Sequence, residues 1–314
     1  MKYTFLLPAF KGKYLDAALA SILSQTCSDF KVMVSDDCSP EDLRSIVAKY
    51  EGDARVSYRR NEENMGGENL VSHWNLLLDL CDTEYCILAS DDDVYSPDFL
   101  QTIDGLTKKY PEVDLLHARA ECIDAEERVF KEDALYKEYV SQLEYFEQLD
   151  FYNHIECVAN YVYRTQALKR IGGFVDFPLA WSSDTATCNL MAKNGVVNTE
   201  EILFGFRMSG INISSQTNDN KAVSRLKFKA CCMYDAFMDG ILKNARPSDS
   251  LLEQYRYQQV CRNHRKRMAG LIAWQSIHLS SGDFVGYIRK YKKKGYIDSL
   301  FIIIKKWLVA QIKS

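Results

Sequence analysis

Apolar residues follow two alternating rhythms along the first 120 positions. Residues 3–7 form a short apolar-rich run that ends at Pro8, the pattern of a buried strand. Leu15, Ala18, Leu19, Ile22 and Leu23 then recur at helical spacing, predicting a helix over 14–25. Val32, Met33 and Val34 mark a second strand over 30–35. Beyond Asp36-Asp37-Cys38, Ser39 has capping chemistry and Pro40 suits a first helical position, so the next helix is expected from there to about Tyr50. Residues 56–59 read as a third strand, and Asn64-Met65-Gly66-Gly67 breaks the chain. Leu70, Trp74, Leu77 and Leu78 share one face of a helix over 69–80, and residues 85–89 form a fourth strand. A helix starting at Ser96-Pro97-Asp98 and a strand over 115–118 follow. Strand and helix alternating through short links predict an α/β fold with a mostly parallel sheet flanked by helices.

The rhythm loosens between about 121 and 161. It returns as a helix from near Asp184 to Gly195 and a strand over 201–206, and helical spacing dominates from about 219 onward. The expected organisation is a domain over 1–215 and a helical, basic region over 216–314. No internal repeat interrupts it.

Composition narrows the class. Hydrophobic residues are 47% and charged residues 26% of 314, the balance of a folded globular chain rather than a disordered one. No apolar run approaches the ~20 residues of a bilayer-spanning helix. The run 300–304 stops at Lys305-Lys306, and 5–7 is followed by Pro8 and Lys11, so neither a spanning helix nor a secretory signal is expected. Ten cysteines without a C-x-x-C pair read as reduced thiols of a cytoplasmic protein.

Charge is unevenly spread. From Arg256 onward there are 13 Lys and Arg against 2 Asp and Glu, so this region carries +11 while residues 1–255 carry −15. The acidic body suits a divalent cation and argues against nucleic acid. The tail over 287–314 places Leu300, Ile303, Ile304, Trp307 and Leu308 on one helical face among lysines. That fits a helix lying on an anionic membrane surface at the inner face, or one packed on its own protein.

Two acidic clusters fall at strand ends, Asp36-Asp37 and Asp91-Asp92-Asp93. In an open α/β sheet ligands bind beyond the carboxyl ends of the strands. Three successive carboxylates after a buried run are costly unless a positive charge offsets them, and Mg²⁺ or Mn²⁺ bridging to a diphosphate would do so. A solvated loop preceding the next helix is the plainer reading of the triplet taken alone.

The ordered series P-A-F, S-I-L-S-Q-T, V-S-D-D-C-S-P-E-D, N-x-G-G and A-S-D-D-D-V-Y-S-P-D resembles glycosyltransferase family 2. The resemblance implies the GT-A fold, a Rossmann-like sheet, with a nucleotide-sugar half over 1–120 and an acceptor half over 121–215. It also implies a metal-dependent, inverting transfer from a nucleotide-sugar, a UDP-sugar by family habit. The acceptor would be a glycan or lipid-linked hydroxyl in bacterial surface polysaccharide synthesis. By the same resemblance Pro8 and Phe10 border the base, Asp37 accepts a hydrogen bond from it, and Asp91 lies near the ribose. Asp92 and Asp93 are the metal-side carboxylates, either of which could be the ligand. Asp184 is the catalytic base, where the residue taken alone reads as an ordinary helix cap. Arg207 meets the diphosphate, with a surface arginine as the other reading, and Trp181 stacks on the acceptor, with a core residue as the other reading. Asp36 is expected to support the turn rather than touch ligand.

Departures from the family pattern are Lys11 where Asn is common, Cys38 where Gly often follows the acidic pair, and Ser183 where Glu precedes the base. The Q-x-x-R-W element of processive synthases is absent. A non-catalytic nucleotide- or glycan-binding member is the alternative. A sugar nucleotidyltransferase is disfavoured because P-A-F-K-G-K has one glycine where such enzymes use a glycine-rich loop.

Overall fold

The computed structural model describes residues 1–149, 154–210, 221–245, 247–277, 279–292, 301 and 303–309. They fall into two compact units: Met1–Asp176 with Ser183–Ser215, and Phe177–Ser182 with Gln216–Ser314.

The first unit is built on one sheet. Strands β1 (Tyr3–Ala9), β2 (Phe30–Asp36), β3 (Val56–Arg60) and β4 (Tyr85–Leu88) lie in the order β3-β2-β1-β4, all parallel. Helices α1 (Leu15–Leu23), α2 (Leu43–Val47) and α3 (Gly66–Leu80) make the crossovers. Parallel strands are covered on both faces, which is why Tyr3, Phe5, Leu6 and Leu7 of β1 are all fully buried.

Further along the chain come β5 (Val94–Tyr95), α4 (Phe99–Lys109), β6 (Leu115–Ile123), β7 (Val129–Glu132) and β8 (Tyr139–Val140). Next are α5 (Gln142–Gln148), β9 (Tyr161–Arg164), α6 (Thr165–Arg170), α7 (Ser183–Met191) and β10 (Val196–Arg207). The sheet continues from β4 through β9, β6 and β10 to β5, with β7 beside β6 and β8 beside β10. β9 is antiparallel to both its neighbours, whereas β10 runs parallel to β6. The α/β expectation therefore holds, with a parallel half followed by a mixed half.

Two local readings change. The cap of α2 is Asp42, whose Oδ1 accepts from Ser45 N at 3.1 Å, and not Ser39. Ser39 Oγ instead donates to Phe10 O at 2.6 Å and accepts from Glu41 N, so it ties the β2 turn to the end of β1. The run from Gly66 bends at Asn69, which is non-helical, and Asn69 Oδ1 accepts from Ser72 N at 3.1 Å. Regular helix thus begins after Asn69, as the apolar spacing predicts.

The second unit holds α8 (Lys221–Asn244), α9 (Leu251–Ser276) and α10 (Ser281–Lys292). Cys231, Tyr234, Met238, Met268 and Ile272 are buried within it. Near the C-terminus Ile303 is buried and Trp307 stacks on Phe284, with ring centroids 4.3 Å apart. Leu300 and the rest of 293–300, with 302 and 310–314, lie outside the described residues. Among the described residues no helix is long and apolar enough to cross a membrane.

Candidate functional site

The sheet order reverses at β1, whose two neighbours are β2 and β4. Both acidic clusters stand at the carboxyl ends of these strands, where such a reversal opens a crevice. Asp91 folds back onto the end of β1: its Oδ2 accepts from Phe10 N and Lys11 N, both at 2.8 Å. Burial pushes its carboxyl up to about 6, against the pull of those two amides. Asp92 is 7% exposed and accepts a short hydrogen bond from Ser90 Oγ. Asp93 is fully buried, and its Oδ1 accepts from Arg207 N at 2.8 Å. Burial raises both carboxyls, and the charge of Asp92 pushes Asp93 further, well above the carboxylate range. Lys11 and Arg207 offset part of this at Asp92.

Arg207, at the end of β10, is not on the surface. It is 1% exposed; its Nε donates to Asp92 O at 2.7 Å and its Nη2 to Glu127 Oε1 at 2.7 Å. Its guanidinium carbon lies 4.5 Å from the Tyr14 ring centroid. The backbone amide of Arg207 holds the Asp93 carboxylate while its side chain holds the Asp92 carbonyl, so β10 clamps the acid loop from one residue. Chain spacing singled out neither Tyr14 nor Glu127. Glu127 sits at φ +64° in the β6–β7 turn, a conformation that no periodicity reveals.

The first acidic pair divides its labour. Asp36 is fully buried and accepts from Ser39 N, Tyr58 OH and Arg60, as a turn-supporting residue should. Asp37 Oδ1 accepts from Asn61 Nδ2 at 2.8 Å and Met65 N at 2.9 Å, and Oδ2 from Gly66 N at 2.6 Å. It therefore anchors the N-x-G-G segment, and Gly66 leaves no room for a Cβ, which would stand 2.8 Å from Asp37 Oδ2. Phe10 and Pro8 are partly buried at the end of β1.

Asp184 occupies the first turn of α7, partly exposed, with Oδ1 accepting from Thr185 N at 2.8 Å. The helix-start reading keeps its acidity ordinary. In the structure burial raises its pKa above the ordinary carboxylate value, and the Thr185 bonds offset only part of that. After burial, the charges of Asp93, Asp184 and Asp92 push the Cys157 thiol up, and Cys157 Sγ lies 4.0 Å from Asp93 Oδ2. The chain enters α7 through Leu179, Ala180 and Ser182, all at positive φ although none is glycine. Such backbone costs of about 1–3 kcal/mol each tend to cluster at functional sites.

The sequence profile of Glycosyl transferase family 2 matches residues 4–172, more than half of the chain and the whole stretch from β1 to the end of α6. The chain belongs to glycosyl transferase family 2. Among family relatives, poly(ribitol-phosphate) β-N-acetylglucosaminyltransferase TarS of Staphylococcus aureus is 28% identical over 104 residues, covering 32% of this chain and 18% of TarS. The GalNAc(5)-diNAcBac-PP-undecaprenol β-1,3-glucosyltransferase of Campylobacter jejuni is 31% identical over 104 residues, covering 32% of this chain and 33% of that enzyme. The chain thus spans a third or less of these curated relatives. Crystal structures extend the likeness in fold. TarS 1–349 in complex with UDP-GlcNAc aligns over 98% of this chain and 91% of that one, with TM-score 0.60 and 17% identity. The mannosyltransferase PcManGT of Pyrobaculum calidifontis, in complex with GDP-Man and Mn²⁺, aligns over 99% and 86%, with TM-score 0.53 and 13% identity. The architecture of this family 2 chain is accordingly the GT-A fold.

The remaining family expectation, Trp181, falls in the second unit. There Lys227 Nζ stands 4.4 Å from its ring centroid.

Proposed function

We propose that this family 2 protein is a metal-dependent inverting glycosyltransferase that moves a sugar from a nucleotide-sugar to a hydroxyl of a glycan or lipid-linked acceptor. One observation carries the reading: Asp92 and Asp93 are buried carboxylates just after the carboxyl end of β4, beside the strand-order reversal at β1. TarS bound to UDP-GlcNAc supports a UDP-sugar donor, and the undecaprenol-linked substrate in the name of the Campylobacter enzyme supports a lipid-linked acceptor. Both point to surface polysaccharide synthesis.

Pro8 and Phe10 would border the base and Asp37 would accept a hydrogen bond from it, beside the three amide donors it already holds. Asp91 fixes the loop near the ribose. The oxygen-only donors of Asp92 and Asp93, raised by burial and at Asp93 also by the charge of Asp92, fit a hard divalent cation, Mn²⁺ or Mg²⁺. When bound, such an ion supplies positive charge against the departing nucleoside diphosphate. Arg207 acts by clamping the acid loop, and Trp181 would offer a face to the acceptor. In the transfer, Asp184 takes the acceptor hydroxyl proton, the new oxygen–carbon bond forms at the anomeric carbon, and the bond to phosphate breaks with its electron pair leaving on the diphosphate. Burial moves the pKa of Asp184 upward, which makes its carboxylate a stronger base, the direction a general base needs.

The test pairs binding with turnover. UDP with Mn²⁺ is expected to raise the melting temperature of both wild type and Asp184→Asn. UDP release from UDP-sugar is expected to fall by about 10²–10⁴-fold in the variant, the usual worth of general-base catalysis. UDP release by Asp184→Asn at the wild-type rate would remove the base from the proposal. No thermal shift with any nucleoside diphosphate would remove the donor site.

A further inference from the structure

Away from the acid loop, the first unit gathers two histidines and an aspartate. His117 on β6, Asp133 just after β7, and His154 ahead of β9 bring one potential ligand atom each within 4.8 Å of one another. His117 and Asp133 are buried and His154 is partly buried.

Their hydrogen bonds decide what the cluster lacks. Asn198 Nδ2 donates to Lys137 O at 2.9 Å, which turns Asn198 Oδ1 toward His117 Nδ1 at 3.1 Å. His117 must then carry its proton on Nδ1, and Nε2 presents a lone pair. That lone pair faces Asp133 Oδ2 at 3.4 Å, and Oδ2 is buried with no hydrogen-bond partner. Asn160 Nδ2 also lies 3.1 Å from Nε2, but its two hydrogens have the carbonyls of Ala118 and Ile155 to serve. The other carboxylate oxygen, Oδ1, accepts from Ile155 N and lies 3.0 Å from Tyr136 OH and 3.8 Å from His154 Nδ1. That hydroxyl is itself 2.8 Å from His154 Nδ1, so its one proton serves either the carboxylate or the imidazole. Two acceptors thus face each other in a buried place, which is costly without a cation between them.

We infer that His117, Asp133 and His154 form a binding site for one first-row divalent cation, Zn²⁺ by its donor set, separate from the Asp92–Asp93 site. Imidazole and carboxylate ligands suit zinc. Two ligands about 2.0–2.1 Å from a tetrahedral ion stand about 3.4 Å apart, the separation of Nε2 and Oδ2 here. Asn198 completes the arrangement as the outer partner that fixes the tautomer of a ligating histidine. The Tyr136 hydroxyl or a water would fill the fourth position. The site would clip β6, the strand end after β7 and the segment before β9 together. Through Asn160 Oδ1, which accepts from Cys157 N, it would brace the residue that touches Asp93.

Elemental analysis of the full chain, loaded with Zn²⁺ in excess Mg²⁺ and desalted, tests this. One equivalent of zinc is expected in wild type and in Asp92→Asn, and less than a tenth in Asp133→Asn and His154→Gln. Asn198→Ala should bind zinc about 10–100-fold more weakly. Co²⁺ in place of Zn²⁺ should give wild type a visible absorption band that His154→Gln lacks, so the test stands even where Asp133→Asn fails to fold. Less than a tenth of an equivalent in wild type, or full zinc in Asp133→Asn, would overturn the site and leave a protonated His117–Asp133 pair as the occupant.

Discussion

Arg207 carries a full charge in the interior, and its donors are divided between the Asp92 carbonyl and the Glu127 carboxylate. A lysine would keep the charge but has no planar fork to reach both acceptors. Arg207→Lys is therefore expected to destabilise the protein by about 1–3 kcal/mol, the cost of leaving a buried acceptor unpaired. Urea denaturation measures this; an unchanged midpoint would show that the clamp contributes nothing. In sequence Arg207 stands one residue past the strand read over 201–206. Its burial was not legible, since Tyr14 and Glu127 are brought to it only by the folded sheet. Cys38 shows the opposite case. The family pattern often has glycine there, and Cys38 sits at φ +54°, where glycine is the residue without a steric cost. The departure is thus one of side chain, at a backbone position that glycine would also suit.

Among elements, β1 and α4 are fastened by Asp104. Its Oδ1 accepts from Lys2 Nζ at 2.7 Å and from Tyr3 OH at 3.1 Å, and its Oδ2 faces Lys108 at 2.6 Å. Burial raises the carboxyl, but the bonds to Lys108 and Lys2 outweigh it and hold it at about 2. A folded-state value below the unfolded one means the contribution is complete above about 4 and disappears as pH falls through about 2. Asp104→Asn should therefore cost about 1–2 kcal/mol at pH 7, after allowance for partial solvent screening, and progressively less toward pH 2. Urea midpoints across that range decide it; a cost independent of pH would assign the effect to packing. The parallel half of the sheet was legible because its strands are short apolar runs set between helical repeats. The mixed half was not. Its strands pair across long separations, and β10 extends over Val196–Arg207 while only 201–206 shows strand character in sequence. One signal there was present: Ser141 and Glu144 form a capping box at the start of α5, in a stretch whose apolar rhythm is weak.

At the scale of the whole chain, the separation of −15 in residues 1–255 from +11 beyond them asks for a partner. In the second unit Trp307 is already stacked on Phe284 and Ile303 is buried, so two members of the apolar face serve the protein's own packing. Phe301, Leu308 and Val309 remain exposed beside Lys305 and Lys306. With so few apolar anchors, attraction to an anionic surface must come mainly from lysines, each contributing about 1 kcal/mol close to the surface. Such binding is screened over a Debye length of about 8 Å at physiological salt, so it should be strong only at low ionic strength. The full chain is expected to sediment with phosphatidylserine-containing vesicles in low salt and to be released as salt rises. Lys305→Glu with Lys306→Glu should release it at lower salt, because each change removes a positive charge and adds a negative one. Equal sedimentation of the double variant, or binding indifferent to salt, would exclude the tail as the membrane contact.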